Sequence, residues 1–357
     1  MKIAVAMSGG IDSTMAALLL KEQGHEVTGI TAVLFAGVSA QTDDITSLPS
    51  VRDALWVSRR YGFPLEVEDL REEFSKKIIT PFCAEYMKGR TPNPCIECNV
   101  MIKFSLLFDA ARRKGCEKLA TGHYVKLKDT PQGRMHISMN TDPSKDQSYF
   151  LYRMTQEQLR RSLFPLGDFT KTRVVSMAKD RGIELAGKAE SQEICFIPDN
   201  DYPGFIEARV AGATEPGDIV DMAGKVIGRH AGIHRYTIGQ RRGLGISAEK
   251  PLYVTGIDYT RNIIIAGNRE DLAVRSILIR GIAYMKSGSL HGIKAMVKTR
   301  STQKPSRAGL MEREGGVVVT FDEPQYGISP GQSAVFYDEE GDVLGGGYIE
   351  RVLPIAG

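Results

Sequence analysis

The chain has 357 residues, of which 42% are hydrophobic and 25% charged, and its formal net charge is +3. That length exceeds one ordinary core and predicts two or three domains, while the composition is that of a globular protein and implies no unusual class. No run approaches the ~18 consecutive apolar residues of a membrane helix, so no membrane partner and a cytoplasmic location are expected, and so small a charge surplus does not by itself argue for a nucleic-acid partner.

The start, Lys2–Met7, reads as a β-strand running into a glycine turn, not as a signal peptide. Helical spacing then covers Ser13–Gln23, Leu48–Tyr61, Arg71 to about Met87, and Met101–Lys114. Strand patterns cover Glu26–Phe35, Pro64–Val67 and Lys118–Tyr124, and the small polar segment Ala36–Ser47 reads as a mobile loop. This alternation predicts an α/β fold, a parallel sheet with helices on both faces. Two short amphipathic helices follow, Thr155–Leu163 and Thr170–Arg181, the second capped by Asp168 or Thr170. From Gly217 the texture becomes short alternating strands between glycine turns: Gly217–Val220, Lys225–Ile227, Leu252–Ile257, Ile263–Ala266, then a second series over Val274–Val352 with Gly316–Phe321 and Ser333–Tyr337. The expected division is 1–205, a nucleotide-binding and transfer domain; 206–272, a small central module, with the helical insertion 155–187 grouped with it; and 273–357, a C-terminal β-barrel.

Between the first strand and first helix lies Ala6-Met7-Ser8-Gly9-Gly10-Ile11-Asp12-Ser13-Thr14. Glycines let the backbone turn tightly, so N–H groups and a helix N-terminus carrying roughly +0.5 charge can face one anion. Hydroxyls of Ser8, Ser13 and Thr14 add donors, and Asp12 suits a magnesium ion held against phosphate. A plain Gly-Gly turn with an Asp/Ser cap is the bland alternative. The Walker pattern G-x-x-x-x-G-K-[ST] is absent. Thr121-Gly122-His123-Tyr124 ends a later strand, and ligands of open α/β sheets sit at strand carboxyl ends.

Five cysteines, Cys83, Cys95, Cys98, Cys116 and Cys195, leave metal binding, redox chemistry or catalysis open, as an odd count does not fit a disulfide framework. Cys83 and Cys116 lie in or beside apolar helical runs and read as packing residues. Gly89–Asn99, with Pro92 and Pro94, reads as a rigid exposed loop bearing Cys95 and Cys98 at C-x-x-C spacing. No second C-x-x-C completes a structural zinc site, so Cys195, within Glu190–Ile197, is the outlying partner. The basic doublets Arg112-Arg113, Arg160-Arg161 and Arg241-Arg242 could follow a phosphate backbone or simply be solvated surface.

The glycine turn resembles the PP-loop of N-type ATP pyrophosphatases. Taken with Gly89–Lys103, Lys145–Leu151, Ile194–Ile197, Tyr236–Gly245 and Pro330–Tyr337, the chain resembles the tRNA-specific 2-thiouridylase family over nearly its whole length. The resemblance implies ATP bound by Ala6, Met7, Ser8, Gly9, Gly10, Ile11, Asp12, Ser13, Ala32 and Gly122, with Mg2+ on Asp12. It implies the target uridine beside Asn93, Pro94 and Cys95, and tRNA contacts from His123, Lys145, Asp146, Gln147, Arg300, Ser301 and Gln332. Cys195 would carry a persulfide supplied by a cysteine desulfurase or relay protein, and Cys98 would close a Cys98–Cys195 disulfide on product release, to be reopened by a reductant. Many members have Asp where this chain has Cys95, which leaves the general acid/base without its carboxylate, although Glu97 lies near.

Three alternatives remain at this point. An iron–sulfur cluster on Cys95, Cys98 and Cys195 could run the same reaction. A PP-loop ligase for a small molecule would need neither Cys98 nor Cys195. A non-catalytic tRNA-binding or sulfur-carrier protein would need no nucleotide loop.

Overall fold

The computed structural model describes residues 1–35, 44–183, 194–286 and 288–353. The expected loop at 36–47 and the residues Glu190–Glu193 therefore fall partly or wholly outside the described residues. The chain divides into two compact units: Met1–Ile78, Cys95–Phe196 and Glu340–Leu344 in one, Ile79–Pro94, Ile197–Glu339 and Gly345–Gly357 in the other.

The first unit holds the expected parallel sheet. Its strands are β1 (Lys2–Ala6), β2 (Glu26–Val33), β3 (Leu65–Asp69) and β4 (Lys118–Ala120), and it continues through a two-residue edge strand. A hairpin of β5 (Val125–Asp129) and β6 (Met135–Met139), which the sequence reading missed, lies apart from it, and the edge strand is β7 (Ser162–Leu163). The order is β3-β2-β1-β4-β7, all parallel. From β1 the chain winds outward one way through β2 and β3, and on the other side through β4. The carboxyl ends of β1 and β4 therefore form the switch point where open α/β sheets bind ligands. β1 is buried on both faces, as its unbroken Ile3-Ala4-Val5 run requires.

Helix α1 (Ile11–Glu22) and helix α2 (Pro49–Tyr61) agree with the expected patterns. The helical stretch expected from Arg71 is present as Arg71–Phe74, a π-type turn over Ser75–Ile79, and Thr80–Met87. Two expectations need correction. Thr155–Leu163 is not one helix: Thr155 caps Gln156–Arg160 through a complete capping box, and Ser162–Leu163 join the sheet. Cys95 and Cys98 do not lie in an exposed loop. Pro94, with its fixed φ, opens a helical run at Pro94–Glu97 that continues as a π-type stretch, Cys98–Leu107, and as Phe108–Arg113. Cys98 is buried within it. Helix α3 (Lys171–Asp180) is capped by Thr170.

The second unit carries the β modules. β8 (Gly217–Val220), β9 (Val226–His230), β10 (Tyr253–Asp258) and β11 (Ile263–Gly267) form a sheet of order β10-β11-β8-β9 over a core of Ile219, Ile233, Tyr236, Val254 and Ile264. β12 (Ala273–Tyr284), β13 (Lys294–Lys298), β14 (Ser306–Arg313), β15 (Gly316–Tyr326), β16 (Ser333–Tyr337) and β17 (Val343–Leu353) close into a barrel. Closure removes the free edges that these strands would expose in an open sheet.

Ile3, at the centre of the first core, has no accessible surface. Ile3→Ala should lower the stability of this unit by about 2–5 kcal/mol and Ile3→Val by about 0.5–1.5. Urea unfolding followed by a probe within the unit checks this, because two units need not unfold as one.

Candidate active site

The turn after β1 is built so that α1 begins without a side-chain cap: Gly10 occupies the N-cap with extended backbone and no side chain caps it. The first helical N–H groups thus remain available to an anion. Gly9 has φ +73°, and a Cβ there would stand 2.5 Å from Asp53 Cβ. Gly122 is needed for a different reason. A Cβ on it would lie 2.9 Å from the Asp12 carbonyl carbon and 3.0 Å from Ser13 N, so the end of β4 reaches the first turn of α1 only with glycine.

Ser8 and Ser13 join through their hydroxyls at 3.3 Å, and Ser13 Oγ donates to the Gly10 carbonyl at 3.1 Å. Asp12 Oδ1 accepts from Tyr124 Oη at 2.7 Å and from Lys171 Nζ at 2.7 Å, while Oδ2 accepts from Lys171 at 2.8 Å. Lys171 was not singled out from the sequence, although a signal existed: it opens α3, where the helix dipole disfavours a cation. Asp12 supplies a compensating anion. A single carboxylate beside open phosphate donors also fits magnesium, which takes one or two protein carboxylates and completes its shell with phosphate and water.

These groups face a cavity of about 460 Å³ lined among others by Ala6, Met7, Ser8, Asp12, Ser13, Ala32, Lys103, Gly122, His123, Gln147 and Cys195. Its apolar side comes from Ile30, Leu34, Phe35, Ile102 and Leu107, none of which the sequence reading named for the site. Gly9, Gly10 and Ile11 shape the turn without lining the cavity. Gln147 accepts from Tyr124 N at 3.0 Å and so clasps the segment after β4. Asp146 accepts from Ser148 Oγ at 2.7 Å and from Asn140 N at 3.2 Å, turning its own loop, in which Lys145 is half-buried. In the second unit Gln332 donates to the Thr91 carbonyl at 2.8 Å and thereby holds the segment leading to Asn93 and Pro94. Arg300 donates to the carbonyl oxygens of Gly327 and Ile238, and Ser301 follows it in a turn.

The thiols differ in setting. All five cysteines are free; Cys195 is exposed, Cys95 intermediate, and Cys83, Cys98 and Cys116 buried. Burial pushes Cys98 up to about 12, with Lys103 pulling down and the charges of Cys195 and Cys95 pushing up. Cys95 and Cys195 are also raised by desolvation, and Lys103 opposes the rise at both. One ammonium group therefore acts on all three thiols. Their sulfurs do not all come within 4.8 Å of one another, so as they stand they form no single-ion site. Glu97, the carboxylate nearest Cys95 in sequence, is raised by burial and pulled back by Arg153, with which it pairs at 2.7 Å. His123 is held well below its ordinary pKa by desolvation and then by the Lys103 charge. Its ring is neutral at pH 7, with Nδ1 at 2.7 Å from Thr121 Oγ1.

A PP-loop at the switch point of a parallel sheet, opening on a cavity with a thiol in its wall, defines a nucleotide-binding α/β domain equipped for sulfur chemistry. The families described as tRNA methyl transferase HUP domain, tRNA methyl transferase PRC-barrel domain and aminomethyltransferase beta-barrel domain match residues 1–199, 204–268 and 274–349. Among curated relatives, the tRNA-specific 2-thiouridylase MnmA of Geobacter metallireducens is 43% identical over 99% of this chain and 97% of its own. That of Syntrophotalea carbinolica is 45% identical over 97% and 98%, and that of Clostridioides difficile 42% over 99% of both. The chain belongs to the tRNA-specific 2-thiouridylase family.

The thiol settings predict an order of reactivity. At pH 8 a thiol with a pKa of about 12 is ionised in about one molecule in ten thousand, and the thiolate is the reactive form. Iodoacetamide followed by peptide mass spectrometry should label Cys195 first and Cys95 more slowly. Cys98, Cys83 and Cys116 should stay unlabelled until the protein unfolds. Lys103→Met should shift the pH midpoint of Cys195 labelling upward, since the charge that favours the thiolate is gone.

Proposed function

We propose that the protein is an ATP-dependent tRNA-uridine 2-sulfurtransferase that works through a persulfide on Cys195. The observation that carries this reading is one cavity lined by Ser8, Asp12 and Ser13 together with Cys195. In this reading activation and sulfur transfer share a single space. The names of the relatives, tRNA-specific 2-thiouridylases, agree with it.

In this reading the Gly9–Gly10 turn, the first N–H groups of α1 and the Ser8 and Ser13 hydroxyls hold the phosphates of ATP. Magnesium on Asp12, with Lys171 and Tyr124 orienting the carboxylate, would neutralise phosphate charge. The uridine 2-oxygen attacks the α-phosphorus and pyrophosphate leaves, which turns a poor leaving oxygen into AMP. The terminal sulfur of the Cys195 persulfide attacks C2 and expels AMP. Cys98, as thiolate, then attacks Cys195 Sγ, releasing 2-thiouridine and leaving the Cys98–Cys195 disulfide for an external dithiol to reduce. Lys103 is the charge that favours each thiolate. Asn93, Pro94 and Cys95 would receive the base, and Lys145, Arg300, Ser301 and Gln332 the surrounding tRNA. The second reading, an iron–sulfur cluster, would instead use Cys95, Cys98 and Cys195 as ligands.

The test combines pyrophosphate release with mass spectrometry of nucleosides after incubation with unmodified tRNA, ATP, magnesium and a persulfide donor. Asp12→Asn and Ser13→Ala should lower pyrophosphate release about 100-fold or more while tRNA still binds. Cys195→Ser should make no thiouridine; Cys98→Ser should accept sulfane sulfur yet release no product. Cys95→Ser should keep substantial activity, whereas a cluster route predicts joint loss of iron and activity in anaerobically purified protein. Thiolation by Cys195→Ser at the wild-type rate would overturn both routes.

A further inference from the structure

The outer face of α2 carries a group of residues that the nucleotide cavity does not use. Val51, Ala54, Val57 and Ser58 bury the inner face, and the Asp53 Cβ lies against Gly9. The opposite face presents Arg52, Trp56, Arg59 and Arg60, spaced i, i+4, i+7 and i+8, around a shallow depression to which Leu55 also contributes. Trp56, the one tryptophan of the chain, is 48% exposed. The three arginines are exposed, and among the described residues none of their guanidinium groups has an ion-pair partner.

Helix stability does not account for this set. Arg59 and Arg60 lie in the last turn, where cations complement the dipole. Arg52 lies close to the other end, where the dipole opposes it. Three like charges crowd about 12 Å of helix beside an indole half open to water.

We propose that this face is a contact surface for the RNA substrate, with the arginines on successive phosphates and Trp56 stacked against an unpaired base. The proposal rests on the tRNA reading given above. Arginine grips phosphate through paired N–H donors, and an aromatic ring between cations is the arrangement that holds single-stranded nucleic acid. An acidic protein could also meet the arginines. A protein hot spot, however, sets its tryptophan in a pocket that excludes water, and here Leu55 is the single apolar residue lining the depression beside Trp56.

Because Trp56 is the chain's only tryptophan, emission excited selectively at tryptophan, to the red of tyrosine absorption, reports this face alone in the full-length protein. Unmodified tRNA should quench it at low salt, and added salt should reverse the quench. In filter binding over a salt series, the triple variant R52A/R59A/R60A should flatten the slope of log K against log salt by about 2, since each single-strand phosphate contact contributes about 0.7. Trp56→Ala should weaken binding about 5- to 150-fold with the slope unchanged. Circular dichroism should show both variants folded, as the altered side chains are on the surface. Wild-type binding of tRNA with unchanged Trp56 emission and an unaltered slope in the triple variant would overturn the surface and leave the tRNA reading standing. Failure of the wild-type protein to bind tRNA at all would instead overturn that reading beneath it. Quenching by polyglutamate and not by tRNA would assign the face to an acidic protein and refute the RNA contact.

Discussion

The site depends on one close approach, that of the backbone at Gly122 to the first turn of α1. Because β1 and β4 are neighbours in a parallel sheet, their carboxyl ends emerge side by side, and the chain leaving β4 passes within contact distance of Asp12 and Ser13. Any side chain at position 122 would hold the two apart. With glycine there, Tyr124 comes within hydrogen-bond reach of Asp12 from one side and Lys171 from another. The carboxylate is thus fixed by two donors of opposite origin, while the N–H groups of the helix remain open. The open N–H groups here are a property of backbone geometry, and the side chains of Tyr124 and Lys171 orient the Asp12 carboxylate.

The second constraint is electrostatic. The cysteines on which Lys103 acts differ in how far they are buried. Cys195 is open to solvent, whereas Cys98 is buried in a helical run and pushed up to about 12. A thiol so desolvated is a poor nucleophile until something lowers its pKa. Lys103, one turn further along the same π-type stretch, already opposes that rise, and its charge bears on all three thiols. The wider π-type winding, common at functional positions, sets which side chains of that stretch point together. In chain order, both thiols also lie within three residues of a point where the chain passes from one compact unit to the other.

Much of this was legible in the residues. Ser-Gly-Gly-x-Asp-Ser after an apolar strand marks an anion-binding turn because glycine, hydroxyl and helix start each contribute a stated physical property, all within a few residues. The parallel sheet follows from alternation of strand and helix periods, and the barrel from short alternating strands between glycine turns. Local chemistry of this kind is written in contiguous residues. The errors are of one kind too. Pro92 and Pro94 read as loop formers, yet Pro94 begins a helix because proline is tolerated where the N–H has no partner to lose. Ser162 and Leu163 continue a helical pattern but pair with β4, since the open edge of a sheet offers backbone partners that a helix end does not.

The sequence by itself determined the nucleotide turn, the class of fold and the cysteines available for chemistry, because each is encoded by residues near one another in the chain. Only the tertiary structure decided that Lys171 holds Asp12 across 159 positions, that Lys103 is the charge shared by three thiols, and that Cys195 lines the same cavity as Ser8 and Ser13. Those are relations between distant segments. They depend on strand order and on which helix face meets the sheet, and neither quantity is carried by any single stretch of residues.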